Sequence, residues 1–332
     1  MQSSAYLLLF RRLAFAGAVL AFCVVVLGAW VRLSAAGLGC PDWPGCYGHV
    51  TAGGAEKNLA EISQIFPNRP FEYEKAIKEM THRYFATGLG LICIALAGIA
   101  FVNRKNPEQP VTLPVVLVCL VVLQGLLGMW TVTLLLKPLI VTLHLLGGLA
   151  TMSLLAWLAM RKIRVPNDRE HQTAKLRRLA LVAFVVLGTQ IFLGGWTSSN
   201  YAALACPDFP TCQNSYWPKM DVGEAFVLWR GLGIDYEGGV LDHPARVAIH
   251  FTHRLGALAT ALVLAFAAVI AWCEGTPVAR RAALMVAIAL IAQLTLGPVM
   301  VIRALPLTLA TAHNAVAALL LVSIVRLNRT VR

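Results

Sequence analysis

Apolar residues run along this chain in eight blocks, near 13–32, 80–102, 111–133, 139–160, 178–197, 246–272, 280–301 and 307–325, with few charged side chains inside them. A helix rises about 1.5 Å per residue, so each block is long enough to cross roughly 30 Å of hydrocarbon. The bilayer core offers no water to backbone N–H and C=O groups, and helix is the form that satisfies them within one segment. The pattern predicts an all-α polytopic membrane protein with eight transmembrane helices. Arg11 and Arg12 ahead of the first block resemble the start of a secretory signal. The run from Leu13 to Val31 outlasts a typical signal core, however, and predicts a retained helix.

The same blocks repeat. Gly28-Ala-Trp-Val-Arg-Leu leads into Cys40-Pro-Asp-Trp-Pro-Gly-Cys46, and Gly194-Gly-Trp-Thr leads into Cys206-Pro-Asp-Phe-Pro-Thr-Cys212. Thr81-His-Arg recurs as Thr252-His-Arg, Gln124-Gly-Leu-Leu-Gly as Gln293-Leu-Thr-Leu-Gly, and His144 finds its counterpart in His313. Landmarks recurring in one order at nearly constant spacing mark a duplication. An even number of helices per half makes the duplication parallel, unlike the inverted repeats of many transporters. The expected architecture is two tandem four-helix bundles, 1–165 and 176–332, joined by a linker at 166–175.

Composition agrees with the pattern. Hydrophobic residues make up 58% of the chain and charged residues 13%, about half the charged share of a soluble domain. Mean hydropathy is +0.70. The net charge of +12 would fit nucleic acid, but its placement excludes that reading. Arg11/Arg12, Arg104/Lys105, the cluster Arg161, Lys162, Arg164, Arg169, Lys175, Arg177 and Arg178, then Arg280/Arg281 and Arg326/Arg329/Arg332 fall on one side of eight alternating helices. The opposite short loops carry only Lys137 and Arg303. Positive charge accumulates on the cytoplasmic side, so both termini are expected there, and the long loops near 33–78 and 198–245 outside.

Ionisable residues within a spanning helix are costly and point to function. His82 and His253 lie just inside the outer ends of the second and sixth spans, His144 and His313 at similar depth in the fourth and eighth. Two imidazoles facing each other across a bundle make an axial pair for a heme iron. A single such histidine would be read as a hydrogen-bonded structural residue; two duplicated pairs favour heme or metal. A zinc-type site needs three or four ligands in one place, and His250, one turn from His253, offers His250/His253/His313 as the competing set. The small residues around His313 and after His144 leave room for a flat macrocycle, although small residues also serve helix packing.

The halves differ at one telling position. Glu79-Met-Thr-His82-Arg83 becomes His250-Phe-Thr-His253-Arg254. Glu79 lies one helical turn from His82, where a carboxylate can act on a substrate at that iron. The competing reading is an interfacial carboxylate paired with Arg83 or Lys78, whose truncation would cost about 1 kcal/mol at most. Arg83 and Arg254 suit heme propionates, because guanidinium binds carboxylates bidentately; snorkelling to the interface is the plainer account. The two Cys-x5-Cys loops, in an oxidising compartment, are expected to close as disulfides. Four cysteines allow three connectivities, and the bonds read either as staples or as redox-active groups. Cys23, Cys93, Cys119 and Cys273 read as small apolar residues.

With these residues in view the chain resembles the heme A synthase family over almost its whole length. The specific elements are the Cys-Pro-Asp-Trp-Pro-x-Cys loop, the Glu-x-x-His-Arg opening of the second span, the His-Arg opening of the sixth, and the histidines of the fourth and eighth. The resemblance implies an oxidoreductase of heme A biosynthesis that converts the C8 methyl of heme O to a formyl group by successive hydroxylation and loss of water. It implies a b-type heme cofactor on His253 and His313 with Arg254 beside it. It also implies heme O between His82 and His144 with Arg83 beside it, Glu79 in catalysis, and disulfides Cys40–Cys46 and Cys206–Cys212. A heme O synthase (protoheme farnesyltransferase) is the implied partner. The bacterial cytoplasmic (inner) membrane, with the cysteine loops periplasmic, is the implied location. Three other functions fit the bare residues: a bis-histidine di-heme cytochrome b for electron transfer, a membrane thiol oxidoreductase with structural histidines, and a heme transporter.

Overall fold

A computed structural model describes residues 2–161 and 174–331. The basic residues Lys162, Arg164 and Arg169, His171 and most of the expected linker at 166–175 lie outside the described residues. The helices are α1 (Gln2–Leu33), α2 (Ala52–Glu56), α3 (Leu59–Ile65), α4 (Tyr73–Val102), α5 (Thr112–Thr133), α6 (Pro138–Ala159), α7 (Ala174–Ser199), α8 (Val222–Ala225), α9 (His243–Glu274), α10 (Pro277–Ile302) and α11 (Leu307–Thr330). Among the described residues no strand forms, and the eight long helices are apolar and long enough to cross a membrane. The protein is an integral membrane protein.

Several helices outrun their apolar blocks. α1 begins at Gln2 rather than near 13, because Arg11 and Arg12 end the lipid-buried part without breaking a helix that both favour. α4 begins at Tyr73 rather than near 80, and the polar extension is held by pairs from Lys75 to Glu72 at 2.8 Å and Lys78 to Glu74 at 3.8 Å. Pro138, Pro244 and Pro277 sit in the first turns of α6, α9 and α10, where a missing N–H costs nothing.

α1 packs on α4 and α6, and α5 closes against α4 and α6; α7 packs on α9 and α11, and α10 against α9 and α11. The α1–α11, α6–α7 and α6–α11 contacts join the two sets. One apolar core runs through both, including Leu155 and Leu158 of α6 and Leu320 and Ile324 of α11. Lipid supplies no hydrophobic drive between helices, so these contacts hold by close packing and sparse hydrogen bonds, such as Asn328 Nδ2 to Ala180 O at 2.8 Å. Backbone irregularities recur at the repeat spacing. Left-handed residues occur at Leu135/Leu136 and Ala304/Leu305, at Ala35 and Tyr201, and at Tyr47 and Gln213, and cis peptides precede Pro44 and Pro210.

The loop between α7 and α9 reaches across to the first half. Lys137, the basic residue of the short loop between α5 and α6, is only 2% exposed. Its Nζ donates to Arg230 O at 2.6 Å and Gly231 O at 2.9 Å and lies 3.8 Å from the Trp229 ring centroid. Tyr236 N donates to Leu135 O at 3.0 Å, and Arg69 pairs with Asp235 at 2.8 Å and Glu237 at 3.2 Å.

Candidate functional site

His82 on α4 and His144 on α6 face each other with ring centroids 6.4 Å apart and planes at 81°. Glycines on the neighbouring helices clear space for the rings. A Cβ on Gly28 of α1 would stand 2.9 Å from His82 Cε1, and one on Gly128 of α5 would stand 3.4 Å from His144 Cε1. The second half repeats the device: Gly194 of α7 lies against His253 and Gly297 of α10 against His313, with Cβ distances of 3.1 and 3.5 Å to Cε1. The Nδ1 atoms of His82, His144 and His313 are buried and have no hydrogen-bond partner. A buried polar atom left unpaired in a native fold calls for a reason, and a ligand is one. Facing imidazoles with cleared ring faces fit heme.

The three-histidine metal set does not assemble. Among the described residues no group of three or more His, Cys, Asp or Glu is placed to hold a metal ion. The His250 ring turns away to the cysteine loop, where its Nδ1 accepts the Cys206 N–H at 3.3 Å.

Two glutamines belong to the second-half site, and sequence reading assigned them no role there. Gln190 Nε2 lies 3.0 Å from His253 Nδ1 and donates to His253 O at 3.0 Å; Gln293 Nε2 lies 3.0 Å from His313 Nε2. Each amide N–H meets a ring nitrogen and holds the imidazole in its orientation. Polar amides inside spanning helices were the available signal. The first half has Gln124 in the place of Gln293, but Val24 in the place of Gln190.

A cavity of about 540 Å³ occupies the first half, within the 300–1,000 Å³ typical of small-molecule sites. His82 and His144 line it, Glu79 and Arg83 stand at its end beside the Cys40–Cys46 loop, and Ser198 and Asn314 reach it from the second half. Arg32, also on its wall, donates from Nη2 to Ser198 O at 2.8 Å and stacks on Tyr201 at 4.1 Å.

Glu79 is 5% exposed and is no surface carboxylate. Its Oε2 accepts the Cys40 N–H at 2.9 Å and its Oε1 accepts from Arg83 Nη2 at 2.5 Å. Arg83 Nη1 donates in turn to the carbonyls of Asp42 at 3.0 Å and Gly45 at 2.5 Å. The interfacial pair with Arg83 therefore exists, but it is buried, so the small truncation cost expected of a surface pair does not apply. The second half builds the same latch with a different side chain. His250 accepts the Cys206 N–H, and Arg254 donates from Nη1 to Thr211 O at 2.8 Å and from Nη2 to Cys206 O at 2.7 Å. Both arginines thus hold the cysteine loops while standing beside the histidines.

The loops themselves are paired turns. Cys40 and Cys46 are bonded, as are Cys206 and Cys212, so the cross-paired connectivities are absent. Asp42 accepts from the Tyr47 and Gly48 N–H groups at 2.5 and 2.8 Å; Asp208 accepts from those of Gln213 and Asn214 at 2.6 and 3.0 Å and from the Thr211 hydroxyl. The Thr211 hydroxyl, with these N–H groups, pulls the Asp208 carboxyl down to about 2.

Residues 11–325 match the family model COX15-CtaA, described as a cytochrome oxidase assembly protein. The chain is 45% identical over 308 residues to a heme A synthase of Shewanella oneidensis, covering 92% of this chain and 91% of that protein. It is 28% identical to a heme A synthase of Rhizorhabdus wittichii, covering 92% and 89%, and 26% identical to one of Caulobacter vibrioides, covering 92% and 90%. Duplicated histidines on cleared helix faces, latched cysteine loops and a match along nearly the full length lead to one assignment: the chain belongs to the COX15-CtaA family of cytochrome oxidase assembly proteins.

Proposed function

We infer that this membrane oxidoreductase is a heme A synthase acting on heme O, oxidising its C8 methyl to a formyl group through successive hydroxylations and loss of water. The observation that carries the reading is the 540 Å³ cavity with His82 and His144 facing each other on its wall, in a chain whose relatives are heme A synthases.

The first half, 1–165, receives heme O between His82 and His144. The second half, 176–332, holds a b-type heme on His253 and His313, with Gln190 and Gln293 orienting the rings. When bound, that heme supplies one-electron transfer. The chain's own residues do the rest. Glu79, at the cavity end beside the Cys40–Cys46 loop, is aimed by the Cys40 N–H and Arg83; there it takes up a proton from the reacting methyl or stabilises positive charge developing on it. Arg83 and Arg254 offer guanidinium to propionates. The apolar walls exclude water and strengthen each of these interactions.

The positive-inside count supports an inner-membrane placement with both termini cytoplasmic and the two disulfide loops periplasmic. Heme O is a product of prenyl transfer to protoheme, so a heme O synthase in the same membrane is the partner that supplies it.

The test is pigment extraction from membranes of cells expressing the chain beside a heme O source. Heme A, with heme O and heme B also present, is the expected result. Heme B alone would make the protein a di-heme cytochrome, and absence of heme would return the cysteine pairs to the centre as a thiol oxidoreductase.

A further inference from the structure

The first-half cavity is not closed on the lipid side. Thr87, Leu91 and Ile94 of α4 line it, and so do Val122 and Gly125 of α5. Leu91, Ile94 and Val122 are nevertheless 63%, 56% and 60% exposed. The three α4 positions are spaced i, i+4 and i+7 and share one helix face. A side chain that lines a cavity and also faces the bilayer marks an opening, and this one runs along the seam between α4 and α5. Gly90 of α4 and Gly125 of α5 both border the cavity, and a Cβ on either would meet no heavy atom within 4 Å. One residue from Gly125, the Nε2 of Gln124 is buried without a partner on the same wall.

The duplication supplies a control within the chain. At the repeat spacing that matches His82 to His253, Thr87 becomes Leu258 and Gly90 becomes Ala261. At the spacing that matches His144 to His313, Gly125 becomes Leu294. The half assigned a permanent cofactor carries larger side chains at these positions, and the half assigned a substrate keeps them small. Helix packing alone would ask for small residues in both halves, since both build the same ring of four helices.

We propose that the α4–α5 seam is a lateral mouth in which the prenyl tail of the substrate lies, projecting from the first-half cavity toward the bilayer. This rests on the reading of the first half as the heme O site. An apolar chain attached to a macrocycle held near the outer surface needs an apolar exit at membrane depth. The seam begins at Thr87, about one turn below Arg83, and continues to Ile94 at 1.5 Å per residue. The same opening lets a membrane-dissolved porphyrin enter and its product leave without crossing the disulfide loops.

Gly125→Leu and Gly90→Ala install the second-half residues at the seam, where a Cβ would meet no heavy atom within 4 Å. The full-length protein, with its second half loaded, is placed in lipid nanodiscs and titrated with heme O and with heme B, which lacks the prenyl tail. Gly125→Leu should weaken heme O binding tenfold or more, the equivalent of losing contact with about two methylenes; Gly90→Ala should act in the same direction more weakly. Heme B binding should stay within twofold of wild type, with the second-half heme spectrum unchanged. Unaltered heme O binding in Gly125→Leu, or equal weakening of both hemes, overturns the proposal. Should wild-type protein bind heme O and convert it while Gly125→Leu does both equally well, only the seam is refuted. Should wild type bind no heme O at all, the assignment of function falls, and the seam with it.

Discussion

Replacing Glu79 separates chemistry from architecture at a position where a carboxylate in one half answers to an imidazole in the other. Alanine is the wrong probe on its own. Glu79 accepts from both the Cys40 N–H and Arg83 in a buried setting, and removing one partner of a buried ion pair costs about 3–5 kcal/mol. A stranded Cys40 N–H adds roughly 1–3 kcal/mol. Against a total stability of about 5–15 kcal/mol, Glu79→Ala should loosen the first cysteine loop and lower yield. Histidine is the informative substitution, because the chain already uses it there: His250 accepts the Cys206 N–H at 3.3 Å and lies 3.4 Å from Arg254 Nε. Glu79→His should keep the fold, both disulfides and the second-half heme, while conversion of heme O falls a hundredfold or more, the scale of a lost acid–base group. The assay pairs pigment composition in cells supplying heme O with thermal unfolding of the purified variants. Wild-type conversion by Glu79→His would remove the carboxylate from the mechanism. Equal thermal stability of Glu79→Ala and wild type would refute the latch energetics.

Gln190→Val copies Val24, its first-half counterpart, and removes the amide beside His253 Nδ1; heme should be lost from the second half 10–100-fold more readily, as followed by transfer to an apo-globin acceptor. Asp208 ionises well below its usual value in the folded loop, near 2, chiefly through the Thr211 hydroxyl. A carboxyl depressed on folding stabilises above its unfolded value near 3.8, and loses that contribution as pH falls toward 2. Hydrogen exchange at the Gln213 and Asn214 amides should therefore be slow at pH 5 and accelerate, beyond the intrinsic pH trend, on approach to pH 2. Asp208→Asn should flatten that change.

Much of the candidate site was legible before any coordinates. Intramembrane histidines cannot be hidden in an apolar block, and duplication turned four of them into two pairs. The Glu79/His250 contrast was visible because repeats expose a position that changes chemical type. The disulfide pairing within each loop was the expected one, since Pro, Asp and an aromatic between two cysteines force a tight turn. What stayed hidden was whatever depends on neighbours from other helices. Gln190 lies far in sequence from His253 and carries no motif, so only the α7–α9 packing reveals its role. Lys137 counted as a topological charge, yet the fold buries it beneath a loop that begins about sixty residues later.

Hydrophobic periodicity, length and charge asymmetry determined the class, the number of spans and the repeat, because the bilayer leaves a backbone almost no alternative to helix and sorts cations by side. The tertiary structure alone decided how much of each side chain is available. It placed Glu79 and Arg83 in a buried latch and not at a wet interface. It turned His250 toward Cys206 and away from any metal. It also left the α4–α5 seam open onto lipid. Burial and direction arise from contacts between distant segments, and those contacts set the electrostatic cost of a charge and the space beside a ring.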